Sequence, residues 1–292
     1  MGLLLASLAS AWPLWVEHEP QRWGQKMKRN IIGIRIIHSF AMACAITTMP
    51  VFSENTELPV DQLLIDFKTN DVFWSQFEVA EKIIALHDPS ILTELEGWLE
   101  HENRHIRGNT AFIFASLGDD RGFKVIQAIL TDRSDRPFAQ DDAAGFSDGN
   151  YQHQLQEQIK SDRYYAVHLL GDLKDPRAIP ILIPLLADED VNYIVPWALG
   201  EIGDKRAIEP LINTLDDKNA SLRVLAIYAL VQLEATEAIP RLHELLSDNE
   251  RTDFGELVSV AEAARDAITR LEKSPQQGGP GYPPQGVGSP DP

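Results

Sequence analysis

The chain has 292 residues, with 26 Lys and Arg against 44 Asp and Glu, which gives a formal net charge of −18. An acidic balance argues against a nucleic-acid-binding protein, which needs basic side chains to displace counterions, and it disfavours adhesion to anionic lipid. The single cysteine, Cys44, excludes an internal disulfide framework and a cysteine-based zinc site.

Residues 1–53 have the layout of a leader. After Met27 come the basic residues Lys28, Arg29 and Arg35, an apolar run at 36–46, and a possible cleavage point after Ser53. This order predicts a secretory signal peptide that starts at Met27, with residues 1–26 as an upstream extension. The apolar run is too short to span a membrane comfortably. We therefore expect an exported protein, periplasmic or secreted, without stable membrane insertion; a cytoplasmic protein is the alternative.

Residues 54–273 predict a domain of helical hairpins. A lead-in helix is expected around Val60–Phe67, a first hairpin over 72–103, and a second hairpin from Arg107 whose second helix covers Phe123–Leu130. An insertion at 133–160 then breaks the period, with Ser, Asp, Gly and Pro clustered in 133–150 as in a loop. We expect Tyr151–Lys160 to extend the following helix backwards. The insertion is either a tolerated surface loop or a binding element.

The clearest repeats lie in residues 163–246, where Ala178, Ala207 and Ala238 mark the same position 29 and then 31 residues apart. In the middle copy, apolar residues at i, i+3, i+4 and i+7 predict a first helix: Val195, Ala198, Leu199 and Ile202. Gly203 favours a helix end and Asp204 can cap the second helix. One hairpin cannot bury its apolar face alone. The sequence therefore predicts an all-α, right-handed solenoid of about five hairpins.

The C-terminal part has two predicted segments. A capping helix is expected over Phe254–Lys273, with Ala261, Ala264, Ile268 and Leu271 on its apolar side. Residues 274–292 are rich in Pro and Gly and hold few apolar groups, so they cannot offset the entropy of ordering and predict a disordered tail.

The run V-N-Y-I-V-P-W-A-L-G-E-I-G-D-K-R-A-I-E-P-L-I, at residues 191–212, resembles the short HEAT-like repeats of the phycobilin-lyase type. The resemblance is close over 161–248 and weaker over 72–132. It implies a helical repeat architecture and is nearly silent about activity. We expect a non-catalytic scaffold of the cell envelope that binds another protein. An accessory protein or subunit of a lyase-type enzyme is the alternative that the resemblance leaves open.

Motifs that would indicate an enzyme are missing from the sequence. It has no phosphate-binding glycine loop and no G-x-S-x-G nucleophile elbow. The pairs at 18–19, 101–102 and 243–244 are His-Glu, but they do not recur at equivalent first-helix positions, as the iron-binding pairs of the HEAT-like deoxyhypusine hydroxylase do. We therefore expect no catalytic residues, no metal and no cofactor.

A recurring basic position indicates a ladder between repeats. Arg107, Arg163 and Arg223 align at the start of successive first helices, with Asn192 in the remaining copy. Aspartates recur in the turn between the two helices: Asp119, Asp175 and Asp204. Because the arginine fork fits a carboxylate, we expect each arginine to reach a turn aspartate of a neighbouring repeat.

Two sets of residues are candidate binding positions. Aromatic rings occupy one first-helix position, where a helical wheel points Trp197 away from the buried stripe; the row is Phe112, His168, Trp197 and Tyr228. Such a row is either an exposed recognition stripe or a face covered by neighbouring helices. The resemblance implies that second helices line the inner face of the array. Their outward residues would then form a mainly acidic groove for a basic or polar segment: Lys124, Glu209, Asn213, Arg241 and Glu244.

Overall fold

The structure, a computed structural model, describes residues 59–70, 72–134, 148–253 and 258–273. Within these ranges it contains twelve α-helices, and its only β-type pairing is an isolated bridge between Arg251 and Ser259. The predicted all-α class is confirmed, and the helices follow the order of a solenoid of helical hairpins. The leader at 1–53 and the tail at 274–292 lie outside the described residues.

The α-helices are α1 (Val60–Thr69), α2 (Phe73–Ile84), α3 (Leu92–Leu95), α4 (Arg104–Ser116), α5 (Asp120–Ile129), α6 (Asp148–Leu173), α7 (Ile179–Leu182), α8 (Val195–Ile202), α9 (Ile208–Thr214), α10 (Ala220–Gln232), α11 (Ile239–Glu244) and α12 (Val260–Lys273). Short 3-10 segments extend most second helices: Pro89–Ile91, Glu96–Glu100, Pro176–Ala178, Ile183–Ala187, Lys205–Ala207, Thr236–Ala238 and Leu245–Ser247.

Five hairpins follow from this order, which we call repeats 1 to 5. Their first helices are α2, α4, α6, α8 and α10, and their second helices are built around α3, α5, α7, α9 and α11. Helix α1 leads into repeat 1, and α12 follows repeat 5. Helix α6 has 26 residues and starts at Asp148, so Tyr151–Lys160 does extend this first helix backwards, as predicted. Residues 135–147 of the insertion lie outside the described part of the chain.

The helices form two compact units, divided within α6. One unit runs to Leu169 and also takes in Glu250–Ser259. In it, α1 packs on α2, α2 on α4 and α4 on α5. The core residues include Phe67, Ile83, Phe114 and Ile126, none of which is exposed. Phe73 stacks on Tyr165 of α6, with 3.8 Å between the ring centroids.

The other unit comprises Leu170–Asn249 and continues from Val260. Its first helices stack in order, α8 against α10, with α10 also packing against the closing helix α12. The second helices lie beside them, α9 on α10 and α11 on α12. All eight residues of α8 are buried, because neighbouring helices surround this short segment.

The turn between first and second helix has the same backbone conformation in every repeat. Its central residue has positive φ: His87 (52°), Gly118 (91°), Lys174 (53°), Gly203 (76°) and Glu234 (54°). The residue that follows accepts a backbone N–H at the start of the second helix in four copies: Asp88, Asp119, Asp175 and Asp204. The predicted roles of Gly203 and Asp204 are thus confirmed.

Candidate binding surfaces

The aromatic row does not form an exposed stripe. In the first unit, Phe112 and His168 are buried at 6% and 3% exposure. Two side chains of α2 cover them: Phe77 lies 5.1 Å from the ring of Phe112, and Trp74 lies 4.7 Å from that of His168. These rings therefore belong to the packing between the first helices of repeats 1 to 3.

Trp197, in the second unit, is also buried, at 7% exposure. Its ring packs over Gly171, where an added Cβ would lie 2.8 Å from the Trp197 side chain. Tyr228 is half-buried. The helical wheel is misleading here because it assumes one solvent-facing side, whereas a first helix inside a stack has neighbours on several sides. The recognition-stripe interpretation of this row is therefore wrong for the three buried side chains.

The second-helix candidates are mostly at the surface. Lys124 in the first unit is exposed, and so are Glu209, Asn213 and Glu244 in the second. Arg241 is half-buried, because its guanidinium forms ion pairs with Asp216 of repeat 4 and with Glu244. Glu209 and Asn213 are thus available to a partner, whereas Arg241 helps to hold two repeats together.

A neighbouring surface escaped the sequence-based prediction. The second helix of repeat 3 runs from Ala178 to Ala187 without a charged side chain, and only Ala178, Ile179 and Leu182 of this run are buried. The signal was present in the sequence as the uncharged run A-I-P-I-L-I-P-L-L-A. The run is too continuous for a helix with one buried and one solvent-facing side.

The arginine ladder exists, but with other aspartates. Arg107 pairs with Asp132 at 2.8 Å, and Arg223 pairs with Asp248 at 2.8 Å. Each aspartate lies 25 residues after its arginine, just beyond the second helix of the same repeat. Arg163 donates to the carbonyl of Leu130 at 3.1 Å.

A second bond joins Arg107 and Arg223 to the preceding repeat. Arg107 donates to the carbonyl of His101 at 2.8 Å, and Arg223 donates to that of Asp217 at 2.7 Å. These carbonyls lie just beyond the end of a second helix. Each of these two arginines therefore links the first helix of its own repeat to the aspartate that follows the second helix, and also to the end of the preceding repeat.

The turn aspartates, predicted to be the partners, instead bind locally. Asp119, Asp175 and Asp204 each pair with the arginine two residues further on. The hydrogen bond from that arginine is the main reason why the pKa of each of these carboxyl groups lies below its usual range. The prediction that they serve the inter-repeat ladder is wrong, because a cap fixes the carboxylate at its own turn.

Arg104 centres a buried ion cluster in the first unit. Its guanidinium, with the side chain only 1% exposed, lies 3.1 Å from Asp132 and 3.2 Å from Asp162. Burial raises the pKa of Asp162 to about 6, although Gln158 and Arg104 donate hydrogen bonds to it. Burial alone would also raise the pKa of Asp132, but hydrogen bonds from Ser134 and Arg104 hold that pKa below its usual range. The cluster fixes the start of the insertion, at Ser134, to α4 and α6.

Neither a metal site nor a membrane span is found in the part of the chain that the structure describes. No group of three His, Cys, Asp or Glu side chains there could hold a metal ion. No helix among the same residues is both long and apolar enough to cross a bilayer.

Comparison with known proteins agrees with the repeat geometry. A family model described as HEAT repeats matches residues 153–220 and 187–254. No curated protein matches the chain. Residues 153–254 are therefore similar to HEAT repeats, which are helical repeats that commonly mediate protein–protein interactions.

Proposed function

We propose that this chain is a non-catalytic scaffold that binds another protein through the second helices of its repeats. The observation that carries the proposal is the outward row of polar side chains in repeats 4 and 5. Glu209 and Asn213 lie on the surface of α9, and Glu244 lies on that of α11. Below them, Leu211 and Leu242 are fully buried, so the row is carried on packed helices. Binding residues work best on such rigid elements, because little ordering entropy is lost on association.

The charge of the chain supports a partner segment with basic or polar character. With a net charge of −18, the surface attracts basic segments over a distance and repels acidic ones. The same balance does not suit nucleic acid, whose phosphates need a basic surface.

Charge reversal tests the proposal in the native source. The tagged chain and a Glu209→Lys/Glu244→Lys variant would be compared in affinity capture, with Glu272→Lys on α12 as the matched control, since Glu272 is also exposed. We expect the double variant to lose the captured partner while the control retains it. Equal capture by all three forms would show that the second helices are not the binding surface.

The proposed location is the cell envelope, after removal of the leader. Its support is the order of basic, apolar and small residues from Lys28 to Ser53. N-terminal sequencing of the protein from its own cells should then begin near Glu54. Intact Met1 in the soluble cytoplasmic fraction would contradict this location.

A lyase-associated role is the second candidate. It is favoured by the resemblance of residues 191–212 to repeats of the phycobilin-lyase type, and it places the chain in the cytoplasm as an accessory protein or subunit. Co-purification with a bilin-handling enzyme from an unprocessed cytoplasmic pool would support it. Recovery of the processed form alone, without such an enzyme, would count against it.

A further inference from the structure

The second helix of repeat 3 differs from those of repeats 4 and 5. Aligned on Ala178, Ala207 and Ala238, repeat 4 carries Glu209 and Asp216, and repeat 5 carries Arg241, His243 and Glu244. Repeat 3 has no charged or polar side chain from Ala178 to Ala187. The position of Pro184 is polar in both other repeats, where Asn213 and Glu244 occupy it. The positions of Pro180, Ile181 and Ile183 are each polar in one of the two, where Glu209, Arg241 and His243 stand.

These apolar side chains lie at the surface. Pro180 and Pro184 are exposed, and four neighbours are half-buried: Ile181, Ile183, Leu185 and Leu186. We call these six residues the apolar patch. Leaving them in water costs free energy in proportion to the apolar area, about 25 cal/mol per Å². A contiguous patch of this kind commonly marks an interaction site.

The two prolines also change the backbone. Neither has an N–H, so Pro180 cannot donate to the carbonyl of Pro176, and Pro184 cannot donate to that of Pro180. Arg206 of repeat 4 donates to the Pro176 carbonyl at 2.9 Å instead. The segment consists of the 3-10 turn Pro176–Ala178, helix α7 and the 3-10 turn Ile183–Ala187.

The apolar patch lies beside an acidic side chain of repeat 4. The two second helices are bridged at their starts by the bond from Arg206 to Pro176, and at their ends by Lys218 and Glu189, whose side-chain atoms are 3.0 Å apart. Between these bridges, Glu209 occupies the repeat position that corresponds to Pro180, and its side chain is exposed. Because both ends of the two segments are bridged, one short segment can span both features.

We propose that the apolar patch and Glu209 form a docking surface for a segment of another protein in which apolar side chains adjoin a lysine or arginine. This inference rests on the proposed scaffold function and specifies the partner's chemistry. The apolar side chains would cover the patch, and the basic group would meet Glu209. A second copy of the chain fits poorly, because it brings a further net charge of −18 to an acidic surface.

Fluorescence polarisation of the full chain with model peptides tests the proposal. Three labelled helical peptides of about twelve residues would be used: one with leucine and lysine faces, one with glutamate replacing lysine, and one with serine replacing leucine. We expect the leucine–lysine peptide to bind at least about tenfold more tightly than either of the others. Similar affinity for all three would overturn the proposal.

Substitutions then locate the surface. Pro180→Gln/Pro184→Asn should weaken binding of the leucine–lysine peptide by about tenfold, because both residues are exposed and the patch becomes polar. Pro240→Gln is the matched control, since Pro240 is exposed at the equivalent position of repeat 5, and it should change affinity by less than about twofold. Glu209→Gln should reduce the preference for the leucine–lysine peptide over the peptide with glutamate in place of lysine. Glu237→Gln, which changes an exposed residue of repeat 5, should leave that preference unchanged.

If a second copy of the chain or a lipid surface covers the apolar patch instead, the experiments give different results. If the two proline substitutions dissociate a dimer in sedimentation, the occupant is a second copy and the proposal is wrong. If they release the chain from phosphatidylcholine vesicles and leave peptide affinity unchanged, the patch binds lipid and the proposal is also wrong. Loss of native capture in the Glu209→Lys/Glu244→Lys variant, with normal capture by Pro180→Gln/Pro184→Asn, would preserve the scaffold function and refute this inference alone.

Discussion

Removal of Arg223 tests whether the ladder holds repeats together. Its side chain is 8% exposed, and it pairs with Asp248, 19% exposed, at 2.8 Å. A second nitrogen donates to the carbonyl of Asp217 at 2.7 Å. Arg223→Ala removes both bonds and leaves a half-buried carboxylate and a backbone carbonyl without this donor.

The cost can be worked from these two bonds. A hydrogen bond with a charged partner contributes about 1.5–3 kcal/mol, and the partial exposure of Asp248 lets water offset part of the loss. We expect Arg223→Ala to lower the free energy of unfolding by about 2–4 kcal/mol. With a urea dependence of about 2 kcal/mol per molar, the midpoint of urea unfolding should fall by about 1–2 M.

The control is Arg206→Ala, which also removes an ion pair and a bond to a carbonyl, but from a side chain that is 58% exposed. Solvent screens that pair, so its loss should move the midpoint far less. A double-mutant cycle of Arg223 with Asp248 should show a coupling free energy of at least about 1 kcal/mol. Equal midpoint shifts for Arg223→Ala and Arg206→Ala, or a coupling near zero, would refute the ladder.

Three further substitutions have expected outcomes. Gly122→Ala would place a Cβ 2.1 Å from the carbonyl oxygen of Ala111, so it should lower the free energy of unfolding by about 3 kcal/mol in denaturant melts. Gly97→Ala is the control: an added Cβ there has no atom within 4 Å, so the free energy of unfolding should change by less than about 0.5 kcal/mol. Equal effects of the two substitutions would contradict the close approach of α4 and α5. Because the folded pKa of Asp162, about 6, lies above the ordinary value of 3.8, its contribution to stability is complete below pH 4 and is lost as pH rises through 6. Relative to Asp162→Asn, wild type should therefore lose stability over that range, by on the order of 1–3 kcal/mol in melts at matched pH values; a pH-independent difference would contradict the raised pKa. Glu234→Gly should raise the free energy of unfolding by up to about 1 kcal/mol, because it relieves a φ of 54° in a non-glycine residue; a loss of stability would show that the Glu234 side chain contributes more than the backbone strain costs.

Much of the fold could be predicted from local pattern. Apolar spacing located the first helices of repeats 3 to 5, and the Gly203-Asp204 pair located a turn, because both signals depend on neighbours in the chain. Helix α6 also includes Tyr151–Lys160, as the sequence predicted. Of the candidate site, the exposed side chains of Glu209, Asn213 and Glu244 agree with their predicted outward positions.

The errors concern contacts between distant segments. The true partner of Arg223 is Asp248, and the same spacing of 25 residues joins Arg107 to Asp132. This regular spacing was present in the sequence, but the aspartates of the turns recur with the same regularity, so the sequence does not show which set pairs with the ladder arginines. A capping aspartate and a ladder aspartate look alike until the backbone around each one is known.

Periodicity in the sequence alone determined that the chain folds into helical hairpins, because helix formation and capping depend on side chains within about four residues of one another. Tertiary structure decided which faces meet solvent. Trp197 is buried because neighbouring helices cover it, while Pro184 is exposed although the helix it follows is apolar. Hydrophobicity sets the free-energy gain of burial for a side chain, but whether that side chain is buried depends on neighbours contributed by other parts of the chain.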